Sequence, residues 1–275
     1  FLRIFPALAA CAVVMACVVG PLFTAMPLSE YFSSKDVPLY VGRAVTFARH
    51  PSFTLPGVTF SQGPHGISVN GSLWTIPLEI RLYALTAIVA LAAKYGRTPP
   101  LIVIAAVALL AYYVDLSAII PNEDAYRLSW LFVSGAVLYI FRRFVPLHWS
   151  MAVASLAAWI LLSKLSLAMS AMLLSYLTLY LAYLPRLAIP RFIDDFSYGI
   201  YLYAFPIQQV LSHTFPSIGP FRLMAMSVPL AWMAGWISWK LIEKPAISLK
   251  DRFLKKSIVS HVERKYICNE DGSPR

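Results

Sequence analysis

The chain has 275 residues, of which 59% are hydrophobic and only 13% are charged, and its formal net charge at pH 7 is +10. Soluble domains usually contain about 25% charged residues, so the composition argues against one large soluble domain. The apolar residues occur in blocks that approach the roughly 20 residues needed to cross a bilayer as a helix. The basic residues lie between these blocks and near the C-terminus, which argues against nucleic-acid binding and favours a membrane protein oriented by its charges.

The apolar blocks predict an all-α fold, a polytopic transmembrane helix bundle of about eight helices. In chain order, the blocks are Pro6–Thr24, Leu73–Ala93, Pro100–Val114, Leu128–Phe141, Leu147–Ser163, Leu167–Leu184, Phe196–Ser212 and Leu223–Ile242. A long connection rich in Pro, Gly and Ser, Ser29–Gly71, separates the first two blocks. The fourth block is short enough to be a re-entrant or buried helix instead. We assign residues 1–245 to the bundle and residues 246–275 to a basic cytoplasmic tail.

The positions of Lys and Arg predict that both ends of the chain are cytoplasmic. With the N-terminus inside, the inner connections hold most of the basic residues of the short loops, namely Lys94, Arg97, Arg142, Arg143, Arg186 and Arg191. This is the bias that the positive-inside rule describes. The tail segment Ile247–Tyr266 mixes basic and apolar side chains. It suits either an amphipathic helix on the anionic inner leaflet or a plain solvated tail.

The cysteines indicate which chemistry to expect, and the first residue indicates that the chain is a fragment. Cys11 and Cys17 lie in the first block and Cys268 lies in the tail, without a Cys-x-x-Cys pair or metal-ligand spacing. Neither a disulfide framework nor a zinc site is therefore indicated, and the cysteines are interpreted as small apolar residues. The chain starts with Phe1 rather than Met, which is expected of a fragment.

Two ionisable residues, Glu79 and Arg81, lie inside the second block. A charge in the middle of a membrane helix costs about 2.5 to 3.5 kcal/mol on insertion scales, so such residues are candidates for function. Residues two apart point to different sides of a helix and should not pair. Glu79 shares its helix face with Thr75, Leu82 and Thr86, which predicts a polar stripe toward the bundle interior or a wet cavity. The alternative is a structural carboxylate bonded to a neighbouring helix.

Three other sets of residues stand out at the ends of blocks. Arg3 precedes the first block, where an arginine either orients the helix by snorkelling or clamps an anion. Tyrosines crowd the start of the seventh block, and His213 near its outer end is interpreted as a surface histidine. In the last block, the spacing of Trp232, Trp236, Trp239 and Glu243 predicts one shared helix face. Glu243 is interpreted as a capping charge, with Pro245 ending the helix.

Four short blocks carry a resemblance to a known family. In chain order they are Phe1–Pro6, which is similar to the end of an Arg-x-x-Arg-x-x-Pro stretch, Asn70–Glu79, which resembles a Ser-Leu-Trp-x-Leu-x-x-Glu motif, Ser197–Tyr203, and Ser238–Pro245. Together they resemble membrane acyltransferase family three, the bacterial inner-membrane O-acyltransferases that decorate surface glycans. The Ser-Leu-Trp block is the most specific of the four.

The resemblance implies an enzyme that transfers an acyl group, by default acetyl, from acyl-CoA to a hydroxyl of a cell-surface or exported polysaccharide. It implies acyl-CoA as a co-substrate that enters from the cytoplasm, no tightly bound cofactor, no metal, and membrane lipids as surroundings. The implied catalytic residue is Glu79, and the implied substrate- or CoA-binding residues are Arg3, Ser72, Trp74, Arg81, Tyr198 and Tyr201. The implied location is the bacterial inner membrane, crossed several times.

The chain also departs from the family pattern. The family typically has ten helices, so two helices and an essential histidine are expected before Phe1. Ala204 stands where the family often has a second histidine. Two other functions stay open at this point: a transporter or flippase of a glycan or lipid intermediate, which predicts internal repeats that the sequence does not show, and a non-catalytic membrane scaffold.

Overall fold

The computed structural model describes residues 4–46, 53–60, 67–95, 99, 122–162, 166–184 and 194–249. Within these ranges the regular secondary structure is helical, and the single pairing of extended segments is an isolated antiparallel bridge between Thr24 and Val58. The all-α prediction is therefore confirmed for this part of the chain. The predicted helix Pro100–Val114, most of the tail and Arg3 lie outside the described residues.

The described helices follow the predicted blocks with shifted ends. Helix α1 consists of Phe5–Val14, a π-helical turn Met15–Val19 and a last α-helical turn Gly20–Phe23. The others, in order, are α2 (Leu28–Ser33), α3 (Asp36–Val45), α4 (Thr75–Tyr95, after a 3-10 turn Gly71–Trp74), α5 (Glu123–Ile140), α6 (Trp149–Leu161), α7 (Leu167–Ala182), α8 (Ser197–Thr214) and α9 (Pro220–Ser238, followed by a π-helical turn Trp239–Glu243).

The long connection after α1 contains two helices that its polar composition did not predict. In α3, the buried residues Val37, Tyr40 and Ala44 are spaced by three and four, so they form one apolar face. This face packs against α1. The connection is therefore a folded part of the first helix's surroundings rather than a plain polar loop.

A π-helical turn in α1 explains why Tyr31 of α2 is fully buried. Gly20 N–H bonds to Met15 O rather than to Ala16 O, and Pro21 has no N–H to offer. The Tyr31 hydroxyl donates instead to Ala16 O at 2.7 Å. Burial raises the pKa of Tyr31 to about 12, so the hydroxyl stays protonated as the donor. In an apolar environment, each backbone carbonyl needs such a partner.

Helix α5 begins five residues earlier than predicted. The side chain of Asn122 accepts a hydrogen bond from Ala125 N at 2.8 Å and caps the helix, while Glu123 and Asp124 place negative charge in its first turn. Both features stabilise a helix N-terminus. The apolar block alone located the helix but missed its polar first turn.

The described residues fall into two compact units. One lies within Phe1–Trp74 together with Asp194–Arg275, and the other within Thr75–Ile193. In the second unit, α7 packs against both α5 and α6, and the Tyr176 hydroxyl of α7 donates to Pro146 O at 2.7 Å. In the first unit, α8 packs closely against α9.

Glycines permit the close approach of α8 and α9. A Cβ atom built on Gly199 would lie 2.8 Å from Gly235 Cα, and one on Gly235 would lie 2.7 Å from Ile200 N. A real Cβ atom essentially never lies within 3.0 Å of such an atom. The two helix backbones therefore touch at a pair of glycines, as small residues allow in membrane helix pairs.

Two described helices are long and apolar enough to cross a membrane by length and composition, Phe5–Phe23 and Gly71–Ala92. Helices α6 and α7 are apolar but shorter. At 1.5 Å per residue, α6 extends about 20 Å, which is less than the roughly 30 Å of a bilayer core. The eight-span bundle stays a prediction.

Candidate functional site

The loop before α4 is held on one face of α8. Tyr201 donates its hydroxyl hydrogen to Ser72 O at 2.5 Å, and Gln209 Nε2 donates to Ser68 O at 2.8 Å. Phe205, between them, covers Gly71, where an added Cβ would lie 2.7 Å from the ring. The spacing of four places all three α8 residues on one face. Residues 68–74 are thus fixed directly before the helix that carries Glu79.

Asn70, which lies in the Ser-Leu-Trp block, is fully buried at the centre of this arrangement. Its Nδ2 donates to Leu202 O of α8 at 3.0 Å and lies 3.6 Å from Cys11 Sγ of α1. Its Oδ1 accepts from Ser72 N at 3.0 Å. One side chain therefore links the loop to two helices.

Pro206 explains why Leu202 O needs a partner from outside α8. In a regular helix this carbonyl would accept from the N–H of residue 206, and proline has none. Asn70 Nδ2 supplies a donor, and Cys11 Sγ lies 3.6 Å from the same oxygen. Cys11, which the sequence predicts to be a small apolar residue, is buried and also makes this weak polar contact.

Glu79 lies one turn into α4, where Thr75 Oγ1 donates to its Oε1 at 3.3 Å. The residue is half-buried. Further along the same face, Leu82 is buried, and Thr86 bonds back to Leu82 O at 2.8 Å. Within the described part of the chain, no ion pair joins Glu79 to Arg81, which is also half-buried. The carboxyl group therefore has a hydroxyl donor on one oxygen.

The other predicted site residues are placed differently. Ser72 takes part through its backbone, as acceptor of the Tyr201 hydroxyl. Trp74 ends the 3-10 turn and is half-buried, and Tyr198 in the first turn of α8 has a buried hydroxyl. The structure thus brings Tyr201 and Ser72 into contact within the first unit.

The predicted shared face of the last helix is wrong. Trp232 and Trp236 are exposed, whereas Glu243 is fully buried. The π-helical turn Trp239–Glu243 inserts an extra residue into the repeat and rotates Glu243 away from the tryptophan stripe. The helix also continues past Pro245, through residues 244–249, because proline is tolerated in a new first turn.

Glu243 is therefore a buried carboxyl and not a solvent-facing cap. Its Oε1 accepts from the Ser238 hydroxyl at 3.0 Å. The same oxygen lies 3.1 Å from the position of a Cβ on Gly199, so any side chain at residue 199 would crowd it. Sequence spacing could not show this, because the π-helical turn leaves no mark in the pattern of apolar residues.

His213 also differs from its interpretation as a surface histidine. Its ring is half-buried and stands edge-on to Phe23 at 5.6 Å and Phe60 at 5.7 Å between centroids. Because Cys11 lies beside Leu202 and Phe23 lies beside His213, α1 and α8 run in the same direction. His213 is therefore at the common C-terminal end of these two helices.

Comparison with known proteins gives one informative similarity. The chain is 27% identical over 273 residues to a protein described as an O-acetyl transferase from Shigella phage Sf6, and the alignment covers 93% of this chain and 75% of that protein. No protein-family model matches the chain. No solved structure matches it either.

Proposed function

We propose that this chain is a membrane O-acetyltransferase that moves an acetyl group from acyl-CoA to a hydroxyl of a cell-surface or exported polysaccharide. The observation that carries the proposal is the similarity to a phage O-acetyl transferase along 93% of the chain. The sequence resemblance to membrane acyltransferases points to the same reaction. Nothing in the similarity supports the transporter or flippase alternative.

The exposed surface of α9 supports a place in the membrane. The residues that α9 buries are small or polar, namely Ser227, Ala231, Gly235 and Ser238. The residues that it exposes are large and apolar, among them Phe221, Met224, Val228, Trp232 and Met233. A helix of a soluble protein buries its apolar face. The reverse pattern is typical of a helix that faces lipid and packs through small residues.

The direction of the helices agrees with the proposed topology. α1 and α8 run the same way, as the first and seventh of the proposed spans must. With the N-terminus inside, their C-terminal ends face outward. Glu79 then lies eight residues into the helix Gly71–Ala92, about 12 Å from the outer end at 1.5 Å per residue. Such a depth suits a reaction between a cytoplasmic donor and an outer acceptor.

The reaction requires removal of one proton. The acceptor oxygen attacks the thioester carbonyl carbon, the carbon–sulfur bond breaks, coenzyme A leaves as its thiolate, and the hydroxyl proton passes to a base. We assign Glu79 to the proton transfer, either as orienter of an imidazole base or as partner in taking the proton. Thr75 donates to one oxygen of Glu79, and we assign the other oxygen to the reacting group.

The remaining predicted site residues keep binding roles in this proposal. Arg3 and Arg81 offer guanidinium groups of the kind that bind the phosphates of coenzyme A. Trp74, Tyr198, and the Tyr201–Ser72 contact shape the surroundings of the loop before α4. Acyl-CoA is proposed as a co-substrate, with the bacterial inner membrane as the location and both chain ends in the cytoplasm.

Acyl-group analysis of surface polysaccharide tests the proposal. A strain that lacks the complete gene would be complemented with wild type, with Glu79→Gln, and with Glu123→Gln as a control. Glu123 is exposed and pairs with Arg127 on the surface of α5. We expect wild type and the control to restore an O-acetyl group and Glu79→Gln to restore less than about 1% of it, given typical losses on removing an acid–base group. Full restoration by Glu79→Gln would exclude the role of Glu79, and no acetyl group in any strain would exclude the activity.

A further inference from the structure

Two buried polar atoms at the C-terminal ends of α1 and α8 have no hydrogen-bond partner in the described structure. They are Ser68 Oγ and His213 Nδ1. Ser68 is only 9% exposed. Buried polar atoms in proteins nearly always have a partner, and an exception calls for an explanation such as a bound ligand or water.

Gln209 of α8 relates the position of Ser68, in the loop before α4, to that of His213. Gln209 is itself buried and donates through Nε2 to Ser68 O at 2.8 Å. His213 follows Gln209 by four residues, so it stands one turn further along the same face. Ser68 therefore lies over the turn of α8 that precedes His213, at the end of the helix that we place outward.

Aromatic rings surround the imidazole. Phe23 and Phe60 each meet the His213 ring edge-on, at interplanar angles of 84° and 83°, and their own centroids are 5.5 Å apart. Phe60 is 1% exposed. Ligand sites commonly combine apolar and aromatic walls with a few fixed polar groups, and this region has that composition.

A neutral hydroxyl group offers the acceptor and the donor that these two atoms need. The Ser68 hydroxyl donates to the oxygen of the ligand, and the hydroxyl hydrogen of the ligand is donated to an imidazole nitrogen that carries no hydrogen. Neither residue needs a charge for this exchange. An anionic ligand would instead require a cation beside it.

We propose that Ser68 and His213 form a binding site for a sugar hydroxyl of the acceptor polysaccharide. The inference rests on the proposed function, which it deepens by placing acceptor recognition at this end of the first unit. The side chains bind the acceptor and take no assigned part in bond breaking. A single trapped water would satisfy the same atoms, and it is the alternative that the experiment separates.

The test measures transfer of labelled acetyl from acetyl-CoA in detergent-permeabilised membranes that contain the complete protein, so that the donor and the added acceptor each reach their own side. The acceptor is polysaccharide purified from the deletion strain and de-O-acetylated with mild alkali. The variants Ser68→Ala and His213→Phe remove each polar atom and keep most of the shape, while His213→Asn keeps an acceptor atom near the position of Nδ1. The controls are Ser217→Ala, an exposed serine at the same end, and His148→Gln, in the other unit.

We expect Ser68→Ala and His213→Phe each to raise the KM for polysaccharide by about two- to tenfold, the effect of one hydrogen bond. The KM for acetyl-CoA should stay unchanged, His213→Asn should recover part of the loss, and both controls should behave as wild type. Unchanged acceptor KM values would overturn the proposal in favour of a trapped water. Equal changes in both KM values would overturn it in favour of a purely structural role.

A second measurement does not depend on turnover or on a variant that folds. Diethyl pyrocarbonate modifies histidine side chains, and the modified peptides are counted by mass spectrometry in wild-type protein. The de-O-acetylated polysaccharide should protect His213 and leave His148 unprotected. Protection without acetyl transfer would refute the proposed function and keep the binding site. Transfer without protection would keep the function and refute the site.

Discussion

The fully buried Asn70 side chain shows how one residue compensates for the chemistry of another. Pro206 deprives Leu202 O of its helical donor, and Asn70 Nδ2 replaces it at 3.0 Å while Asn70 Oδ1 holds Ser72 N. An asparagine side chain can donate and accept at the same time, so Asn70 can bond to both Leu202 O and Ser72 N. The identity of the side chain follows from the two groups that it meets.

We therefore expect Asn70→Ala to lower the free energy of unfolding by about 1 to 3 kcal/mol, because it leaves buried polar groups without partners. Asn70→Asp should cost at least as much, since it places a carboxylate against the Leu202 carbonyl. Thermal unfolding of the purified protein in detergent measures both. A loss below about 0.5 kcal/mol for Asn70→Ala would show that the Leu202 carbonyl finds another donor.

The sequence supports only part of the site at this scale. The Ser-Leu-Trp block and the tyrosines of α8 lie far apart in the sequence, and the structure joins them through Tyr201 and Ser72. The role of Asn70 could not be predicted, because it depends on a proline in a helix distant along the chain. The partial burial of His213 could not be predicted, because Phe23 and Phe60, which contact its ring, come from separate segments of the chain.

The packing of α8 against α9 in the first unit depends on two glycines. The contact between α8 and α9 uses Gly199 and Gly235, and the added Cβ positions fall within 3 Å of backbone atoms. Backbone cannot move aside as a long side chain can. The sequence shows the glycines, but it does not show which of them lie at a contact.

We expect Gly199→Ala to destabilise the protein by about 1 to 3 kcal/mol through overpacking. Gly42→Ala is the matched control: Gly42 lies in α3 and a Cβ there meets nothing within 4 Å. The control should be neutral or stabilising by up to about 1 kcal/mol, because alanine favours the helix. Thermal unfolding compares the two, and equal effects would mean that the close approach of the helices is not maintained.

A double-mutant cycle tests the link between α8 and the loop before α4. Pro206→Ala restores an N–H that can bond to Leu202 O, so Asn70→Ala should cost less in that background, by about 1 kcal/mol. The same unfolding measurement gives the coupling energy. Additive effects of the two substitutions would contradict the assignment of Asn70 as the replacement donor.

Element boundaries show what apolar patterning can predict. The apolar blocks predicted every described helix except α2 and α3, because length and apolar composition are the signals used to find membrane helices. The π-helical turns in α1 and after α9 were not predicted, because hydropathy carries no information on a one-residue change of register. The prediction that Glu243 shares a face with the tryptophans was wrong because of the π-helical turn after α9.

For the molecule as a whole, the distribution of basic residues predicts which loops lie on each side of the membrane. In our topology, Ser217 after α8 is outside and Arg143 after α5 is inside. We expect Ser217→Cys to react with a membrane-impermeant maleimide in intact spheroplasts, and Arg143→Cys to react only after permeabilisation. The unaltered protein gives the background of the native cysteines. Labelling of Arg143→Cys in intact spheroplasts would contradict the proposed orientation.

The central claim is acetyl transfer, and the most direct measurement of it uses labelled acetyl-CoA. Inside-out membrane vesicles that contain the complete protein would receive acetyl-CoA labelled in the acetyl group, because the cytoplasmic face is then accessible. We predict that the label enters the polysaccharide of the vesicles and is released by mild alkali, as an ester is, while vesicles from the deletion strain stay unlabelled. Equal labelling of the polysaccharide with and without the protein would contradict the account.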